Sequence, residues 1–300
     1  MVIINNVAVI GAGGALGKPV LDALIVSGKF NVSVLTRPAS ESTYPSSVRV
    51  IPVDFKSLSS LTAALAGQDA LVSTVGTDGL LGQTLIVDAA IAAGVKRILP
   101  SDFGSDLTNS KTAALPVFGY KVAVRKHIED KVKSGATITY TYIVNGPFLD
   151  WGVAHNFIIN WSHGKPSLYD GGERPFSTTS LATIGNAVVG VLSKYEETRN
   201  RSVYIHDVAL TQKKLLEIVQ RIKPATKFEP TTVPLVDVGK SAYEELANGD
   251  YSFAVMSKFL SLAVFGEGYG SLLEKTDNEL LGLAEKSDAE VGEILKAVVN

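Results

Sequence analysis

The chain has 300 residues and no cysteine. That excludes disulfides, thiolate metal sites and a cysteine nucleophile, and it fits a reducing compartment. Histidine is scarce as well. His127, His155, His163 and His206 are dispersed, with no carboxylate pattern for a metal triad and no G-x-S-x-G elbow for Ser-His-Asp hydrolysis. Charges of one sign never run together. The 28 Lys and Arg against 30 Asp and Glu leave a net charge of −2, which argues against a nucleic-acid footprint or a polybasic membrane patch. The longest uncharged stretch, 175–193, is full of Ser, Thr, Gly and Asn, too polar for a membrane span. The opening Met-Val-Ile-Ile-Asn-Asn has no basic region and enters a strand at once, so no secretory leader is expected. These absences leave a soluble, cytoplasmic chain whose partner is a small molecule, with no metal and an open oligomeric state.

What is present is ordinary in bulk and patterned in detail. The length and a 46% apolar content provide for a large core, in one big domain or two intimate ones. Through the first half, short β-branched apolar runs (6–10, 32–36, 48–53, 70–75, 96–100 and 138–144) alternate with helical patterns near 15–27, 58–66, 80–93 and 118–132. Continuous apolar strands separated by helices predict an α/β fold with a doubly wound (Rossmann) parallel sheet. Beyond Asn145 the pattern loosens into a smaller, irregular, mostly helical lobe. The expected division is 1–150 for a nucleotide-binding domain and 151–300 for a substrate lobe. A helix near 181–192 and a strand near 202–207 would return to the sheet.

The first strand runs into "GAGGALG", 11–17. In a doubly wound sheet the first strand–helix turn faces a pyrophosphate, and residues without Cβ let backbone N–H groups reach it. Gly11, Gly13, Gly14 and Gly17 supply this turn, with Ala15 and Leu16 between them, and Gly17 also lets helix and strand approach. A lone glycine motif is weak, but here an apolar strand precedes it and a helix follows. Cofactors with a free 2′-hydroxyl meet an acid at the end of the second strand. This chain has "LTRPAS", 35–40, with an arginine instead. Arg37, supported by Thr36 and Ser40, therefore points to a 2′-phosphate and hence to NADPH. Asp54 and Phe55 close the third strand, where an adenine would lie. Thr74, Val75 and Gly76 close the fourth, beside phosphates and ribose, though both groups also fit ordinary strand exits.

Placed on a helical wheel, 118–132 forms an apolar stripe of Tyr120, Val124, Ile128 and Val132. Lys121 projects into the stripe, whereas Arg125 lies at its edge. A lysine there is costly unless its ammonium reaches a polar cleft, loses its proton or snorkels to solvent. At the carboxyl edge of the sheet the cleft would be a nicotinamide pocket. The position four before Lys121 is Val117, so the Tyr-x-x-x-Lys pair of short-chain dehydrogenases is absent.

Together and in order, "GAGGALG", "LVSTVG", "AAIAAGVKRILPSDFGSD", "YKVAVRKHIE" and "YTYIVNGPF" resemble the isoflavone reductase-like enzymes. These include pinoresinol–lariciresinol and phenylcoumaran benzylic ether reductases, within the atypical short-chain dehydrogenases and the wider NmrA-like group. The resemblance is dense over the first half and diffuse afterward. It implies an NADPH-dependent reductase whose catalytic lysine is Lys121 and whose loop beside the nicotinamide is Ser101, Asp102 and Phe103, with Glu the usual residue where Asp102 stands. It also implies a segment after the sixth strand, Asn145 to Phe148 with Pro147. The implied chemistry is hydride delivery to a phenolic substrate while lysine assists phenol deprotonation. Leu181-Ala182-Thr183-Ile184-Gly185 departs from the family's Asp-Ile-Gly-type element. Phe148, Trp151, Phe157, Trp161, Tyr169 and Phe176 would either form an aryl pocket or simply pack, and His155 would either line that pocket or sit elsewhere. The competing reading is an NmrA-like protein that senses dinucleotide and regulates a partner without catalysis. A nucleotide-sugar epimerase or dehydratase is disfavoured by the missing tyrosine.

Overall fold

Val7, Ala8, Val9 and Ile10 are buried on both faces of their strand, so this run can only be an interior strand covered by helices on each side. The computed structural model describes residues 2–161 and 164–299; His163 lies outside them. Eleven strands are present among these: β1 (Asn6–Ile10), β2 (Asn31–Thr36), β3 (Arg49–Pro52), β4 (Ala70–Ser73), β5 (Arg97–Leu99), β6 (Thr139–Val144), β7 (Ser167–Tyr169), β8 (Phe176–Thr178), β9 (Arg201–Tyr204), β10 (Val208–Leu210) and β11 (Thr231–Val233). Seven of them form one parallel sheet in the order β3-β2-β1-β4-β5-β6-β9. The order reverses between β1 and β4, the switch point where such sheets open a crevice at their carboxyl edge.

Helices α1 (Gly17–Val26), α2 (Leu58–Leu65), α3 (Gln83–Ala92), α4 (Ser110–Ala113), α5 (Gly119–Lys133), α6 (Leu149–Ala154) and α7 (Leu181–Ser193) connect or cover the sheet. On one face Val20, Leu21 and Leu24 of α1 and Ile184, Ala187 and Val188 of α7 pack on Val7, Val9 and Val72. On the other, Leu61 and Leu65 of α2, Ile86 and Val87 of α3, and Val124 and Ile128 of α5 pack on Ala8, Leu71 and Ile98. A separate cluster, including Phe176, Leu215, Phe259 and Val291, unites the remaining helices: α9 (Gln212–Ile222), α10 (Leu235–Ala247), α11 (Phe253–Phe265) and α13 (Asp288–Lys296). The short helices α8 (Tyr195–Thr198) and α12 (Asn278–Leu281) border the sheet. Among the described residues no helix is long and apolar enough to cross a membrane.

Two expectations are corrected in detail. The helix after the glycines begins at Gly17 rather than at residue 15, because the turn itself extends that far. The run at 202–207 is not one strand. β9 joins the sheet beside β6, and the chain then bends at buried Asp207 to form β10 against β8. Asp207 forces the bend: its carboxylate accepts from Ser180 N at 2.7 Å and Thr183 Oγ1 at 2.6 Å, anchoring the start of α7. At the amino end of β5, Arg97 is fully buried. It donates to Thr139 Oγ1 (2.8 Å), Thr141 Oγ1 (2.7 Å), Thr198 Oγ1 (3.0 Å) and the Tyr195 carbonyl (2.6 Å), tying α8 and β6 together.

Candidate functional site

The loops that leave the carboxyl ends of β1, β4, β5 and β6 are fastened to one another across the edge. Thr74 donates through both N (2.8 Å) and Oγ1 (2.9 Å) to the Ile10 carbonyl, joining β4 to β1. Ser101 Oγ donates to the Val75 carbonyl at 2.7 Å, and Ser101 N donates to Gln83 Oε1 at 2.8 Å, joining the loop after β5 to the loop after β4 and to α3. Gly104 N donates to Asn145 Oδ1 at 2.9 Å, while Asn145 N and Gly146 N donate back to the Gly104 carbonyl, joining β5 to β6. Such cross-bonding holds four loops of irregular backbone in one fixed arrangement.

The glycine turn heads this edge. Gly11 adopts φ +81°, and a Cβ there would stand 2.7 Å from the Thr74 carbonyl carbon, so only glycine fits. A Cβ on Gly17 would stand 2.0 Å from the Gly11 carbonyl oxygen, which is the close approach expected of that position. Gly13, Gly14 and Ala15 are exposed, and Leu16 is buried beneath them. Leu16 at the head of α1 provides no side-chain cap, and the first turn carries no acid. The heads of α3 and α5, at the same edge, also lack a side-chain cap, whereas Ser57 caps α2. Free N–H groups and a positive helix end at a glycine turn suit an anion. A Cβ at Gly13 would lie 2.8 Å from Ser42 Oγ and 3.5 Å from the Tyr44 hydroxyl oxygen, so two hydroxyls border the cradle. The cradle, its donors and the absence of acid together fit a dinucleotide pyrophosphate.

Arg37 follows β2, exposed and without an ion-pair partner among the described residues. Its carbonyl accepts from Ser40 N at 3.0 Å, and half-buried Thr36 ends the strand beside it. Asp54 is used locally, its Oδ1 accepting from Lys56 N at 2.9 Å ahead of α2, while Phe55 is half-buried against the core. Val75 is half-buried and Gly76 is open, with nothing within 4 Å of where its Cβ would be.

Lys121, two residues into α5, crosses to the loop after β5. Its Nζ donates to the carbonyls of Phe103 at 2.7 Å and Asp102 at 3.3 Å. Burial pushes the amine below the usual lysine range; the Asp102 carboxylate opposes this and the Arg125 guanidinium adds to it. The loop meets Lys121 through its backbone, its side chains being engaged elsewhere. The Phe103 ring lies in the core beneath α1 and α7, leaving its carbonyl as the group at the site. The Asp102 carboxylate is buried against Arg125, whose Nε donates to both oxygens at 3.0 Å and whose Nη2 donates to Oδ2. Asn145 and Pro147 are buried as well. Pro147 receives Thr178 Oγ1 on its carbonyl at 2.8 Å, and Phe148 is half-buried against the core.

The apolar stripe on α5 is also corrected. Tyr120 is exposed, and the buried face runs through Val124, Arg125 and Ile128 with Val132 beside it. Arg125 belongs there because Asp102 neutralises it and the Tyr142 ring lies 4.2 Å from its Cζ. The wheel carried the signal, since Arg125 is one turn from Lys121, but its partner lies 23 residues away in sequence. Gln83, Ser42 and Tyr44 are further residues that the pattern did not single out.

The lobe aromatics mostly pack on each other. Phe176 and Tyr169 both meet Phe265, Trp161 meets Phe228, and Phe157 joins the same core. Trp151 stacks on exposed His155 at 4.2 Å, and His155 Nδ1 lies 2.8 Å from the Trp151 carbonyl oxygen. His127 meets Asp88 at 2.9 Å, and buried His206 meets Ser177 Oγ at 2.8 Å.

With this geometry in view, the NmrA-like family model matches residues 4–268. The chain belongs to the NmrA-like family. This family member is 32% identical over 295 residues to the oxidoreductase poxI of Penicillium oxalicum, covering 93% of this chain and 90% of that one. It is 29% identical to isoflavone reductase homolog P3 of Arabidopsis thaliana, over 79% of this chain and 76% of that one. The solved structure of AtPrR2 with NADP+ and (+)pinoresinol superposes with a TM-score of 0.78 at 23% identity, covering 100% of both chains. The NmrA-like chain thus has the isoflavone reductase-like resemblance that its motifs carry, and the fold that the resemblance implied.

Proposed function

We propose that the chain is an NADPH-dependent reductase of an aromatic, phenolic or otherwise conjugated small molecule, with Lys121 handling the proton. One observation carries this reading: the Lys121 amine, 2.7 Å from the Phe103 carbonyl oxygen, stands at the same sheet edge as the glycine turn heading uncapped α1. On this reading the chain is an NAD(P)H-dependent oxidoreductase, in line with the oxidoreductase and isoflavone reductase homologue that it resembles.

When bound, the cofactor supplies a hydride. The turn from Gly11 through Gly13, Gly14, Ala15 and Leu16 to Gly17 would receive its pyrophosphate. Arg37, with Thr36 and Ser40, would pair with the 2′-phosphate. Asp54 and Phe55 would border the adenine, and Thr74, Val75 and Gly76 the ribose and phosphates. Ser101, Asp102 and Phe103, with Asn145, Pro147 and Phe148, would wall the reducing end, Phe103 through its carbonyl. Lys121 would take the proton from a phenolic oxygen of the substrate, or return one, which requires an amine poised near the working pH. The cofactor would rest on residues 1–150 and the substrate on 151–300, apart from α7, which covers the sheet, and β9, which joins it.

The test is a fluorescence titration with NADPH followed by a panel of quinones, enones and phenolic ethers, with NADPH oxidation as the readout. Binding with oxidation by at least one class supports the reductase. Binding with none reduced favours a dinucleotide-sensing regulator, and no binding overturns both.

A further inference from the structure

Asp102 faces two cations but is fastened to one. Its carboxylate is held by Nε and Nη2 of Arg125, a two-pronged grip that fixes its plane. Lys121, four residues earlier on the same helix, receives only the Asp102 carbonyl, at 3.3 Å, together with that of Phe103. The guanidinium is itself clamped from behind. Its Cζ lies 4.2 Å from the Tyr142 ring centroid, and the Tyr142 hydroxyl donates to Glu129 Oε1 at 3.2 Å and to the Arg125 carbonyl at 3.4 Å. The charged groups that act on the amine are therefore Asp102 on the loop after β5 and Arg125 on α5; Asp106 and Tyr142 act in turn on Arg125, and Glu129 on Tyr142.

We infer that Asp102 and Arg125 are a positioning pair for Lys121: they lock the loop after β5 with two carbonyls toward the amine, and they set charges of opposite sign beside it. A free carboxylate in that place would favour the ammonium, and a free guanidinium the neutral amine. Paired, they leave burial as the leading influence, and the amine stays able to accept and release a proton. The inference rests on the reading in which Lys121 handles the proton in the reaction.

The experiment measures the titration of Lys121 directly, in the protein without cofactor. Acylation by isotope-labelled acetic anhydride is followed against pH by mass spectrometry of the Lys121 peptide, with exposed Lys56 as internal reference. Asp102→Asn leaves the guanidinium unopposed, so Lys121 should lose its proton more readily and label about tenfold faster at pH 8. Arg125→Gln leaves the carboxylate unopposed, and labelling should slow about tenfold. Arg125→Lys keeps the charge without the grip, and its rate should fall between those of wild type and Arg125→Gln. A merely structural pair predicts something else. Loosening the loop would let water reach the amine and raise the midpoint of its labelling-against-pH curve in all three variants, whatever the reagent's access, so a raised or unchanged midpoint in Asp102→Asn overturns the inference. Should Arg125→Gln fail to fold, Asp102→Asn and Arg125→Lys decide by the same comparison. Because no cofactor or turnover is involved, an inactive wild-type protein would count against the reductase reading and not against this pair.

Discussion

Lys121 Nζ stands 2.7 Å from the carbonyl oxygen of Phe103, although the two residues lie on different elements 18 positions apart. A carbonyl accepts from an amine whether or not the amine carries its extra proton, so this contact orients the nitrogen without fixing its charge. The side chain is thereby held while its proton can come and go.

Replacing Lys121 with alanine should preserve NADPH affinity within about threefold while lowering kcat by about 10²–10⁴-fold, the usual contribution of a positioned acid or base. Fluorescence titration and steady-state oxidation of NADPH separate the two quantities. Undiminished turnover would remove Lys121 from the chemistry.

On the proposed reading, the charge of Lys121 also ties activity and stability to pH. Burial, opposed by Asp102 and aided by Arg125, lowers its value in the folded chain below that of the unfolded chain. Where the neutral amine is the base, kcat should rise with pH through a midpoint below the ordinary lysine value of 10.5. Between that midpoint and 10.5 the unfolded chain binds more protons than the folded one, so this group adds stability as pH rises through the interval. In Lys121→Met that rise should vanish. Urea denaturation of both proteins at pH 7 and pH 10 measures the difference, and parallel behaviour would show that Lys121 is not depressed.

Local periodicity reached the parts of the site whose cause is local. The β1 run and the glycine turn follow from adjacent residues, and so does the placement of Lys121 on the inner side of α5, one turn before buried Arg125. Arg125 escaped because its burial depends on Asp102 and Tyr142, which reach it only through the crossover from β5 to β6. Tyr120 erred in the opposite sense: a wheel ranks it as apolar, but its place in the first turn of α5 leaves it exposed. The split after β9 was hidden for the same reason, since Asp207 bends the chain by bonding to Ser180 and Thr183 at the head of a distant helix.

Arg37→Ala should weaken NADPH binding by about 10- to 100-fold, the worth of hydrogen bonds to a charged group, while NADH affinity changes little. The side chain is exposed, so the melting temperature should not move. Equal losses for both nucleotides would contradict a 2′-phosphate contact.

Gly17→Ala tests the turn. Its new Cβ would stand 2.0 Å from the Gly11 carbonyl oxygen, so backbone must shift, at a cost of about 3 kcal/mol and with loss of nucleotide affinity. Gly76→Ala, placed in open space, should change stability by no more than about 0.5 kcal/mol. Thermal unfolding of the pair checks the contrast, and equal melting temperatures would refute the close packing.

Arg97→Lys should destabilise the fold without touching the site. The guanidinium serves four oxygens on β6 and α8 from full burial, and one ammonium cannot span them. The Tyr195 carbonyl would lose its guanidinium donor, and at least one threonine hydroxyl, which still donates to a backbone carbonyl, would lose the charged donor it accepts from, costing about 3 kcal/mol in all. For 300 residues that corresponds to a melting temperature lower by about 5 °C. Arg97 begins β5 at the amino edge, whereas the glycine turn and Lys121 lie at the carboxyl edge, so NADPH affinity measured well below the melting temperature should be unchanged. A loss of affinity in the folded variant would mean that the two edges of the sheet are coupled, and an unshifted melting temperature would mean that the threonine cage does not need the fork.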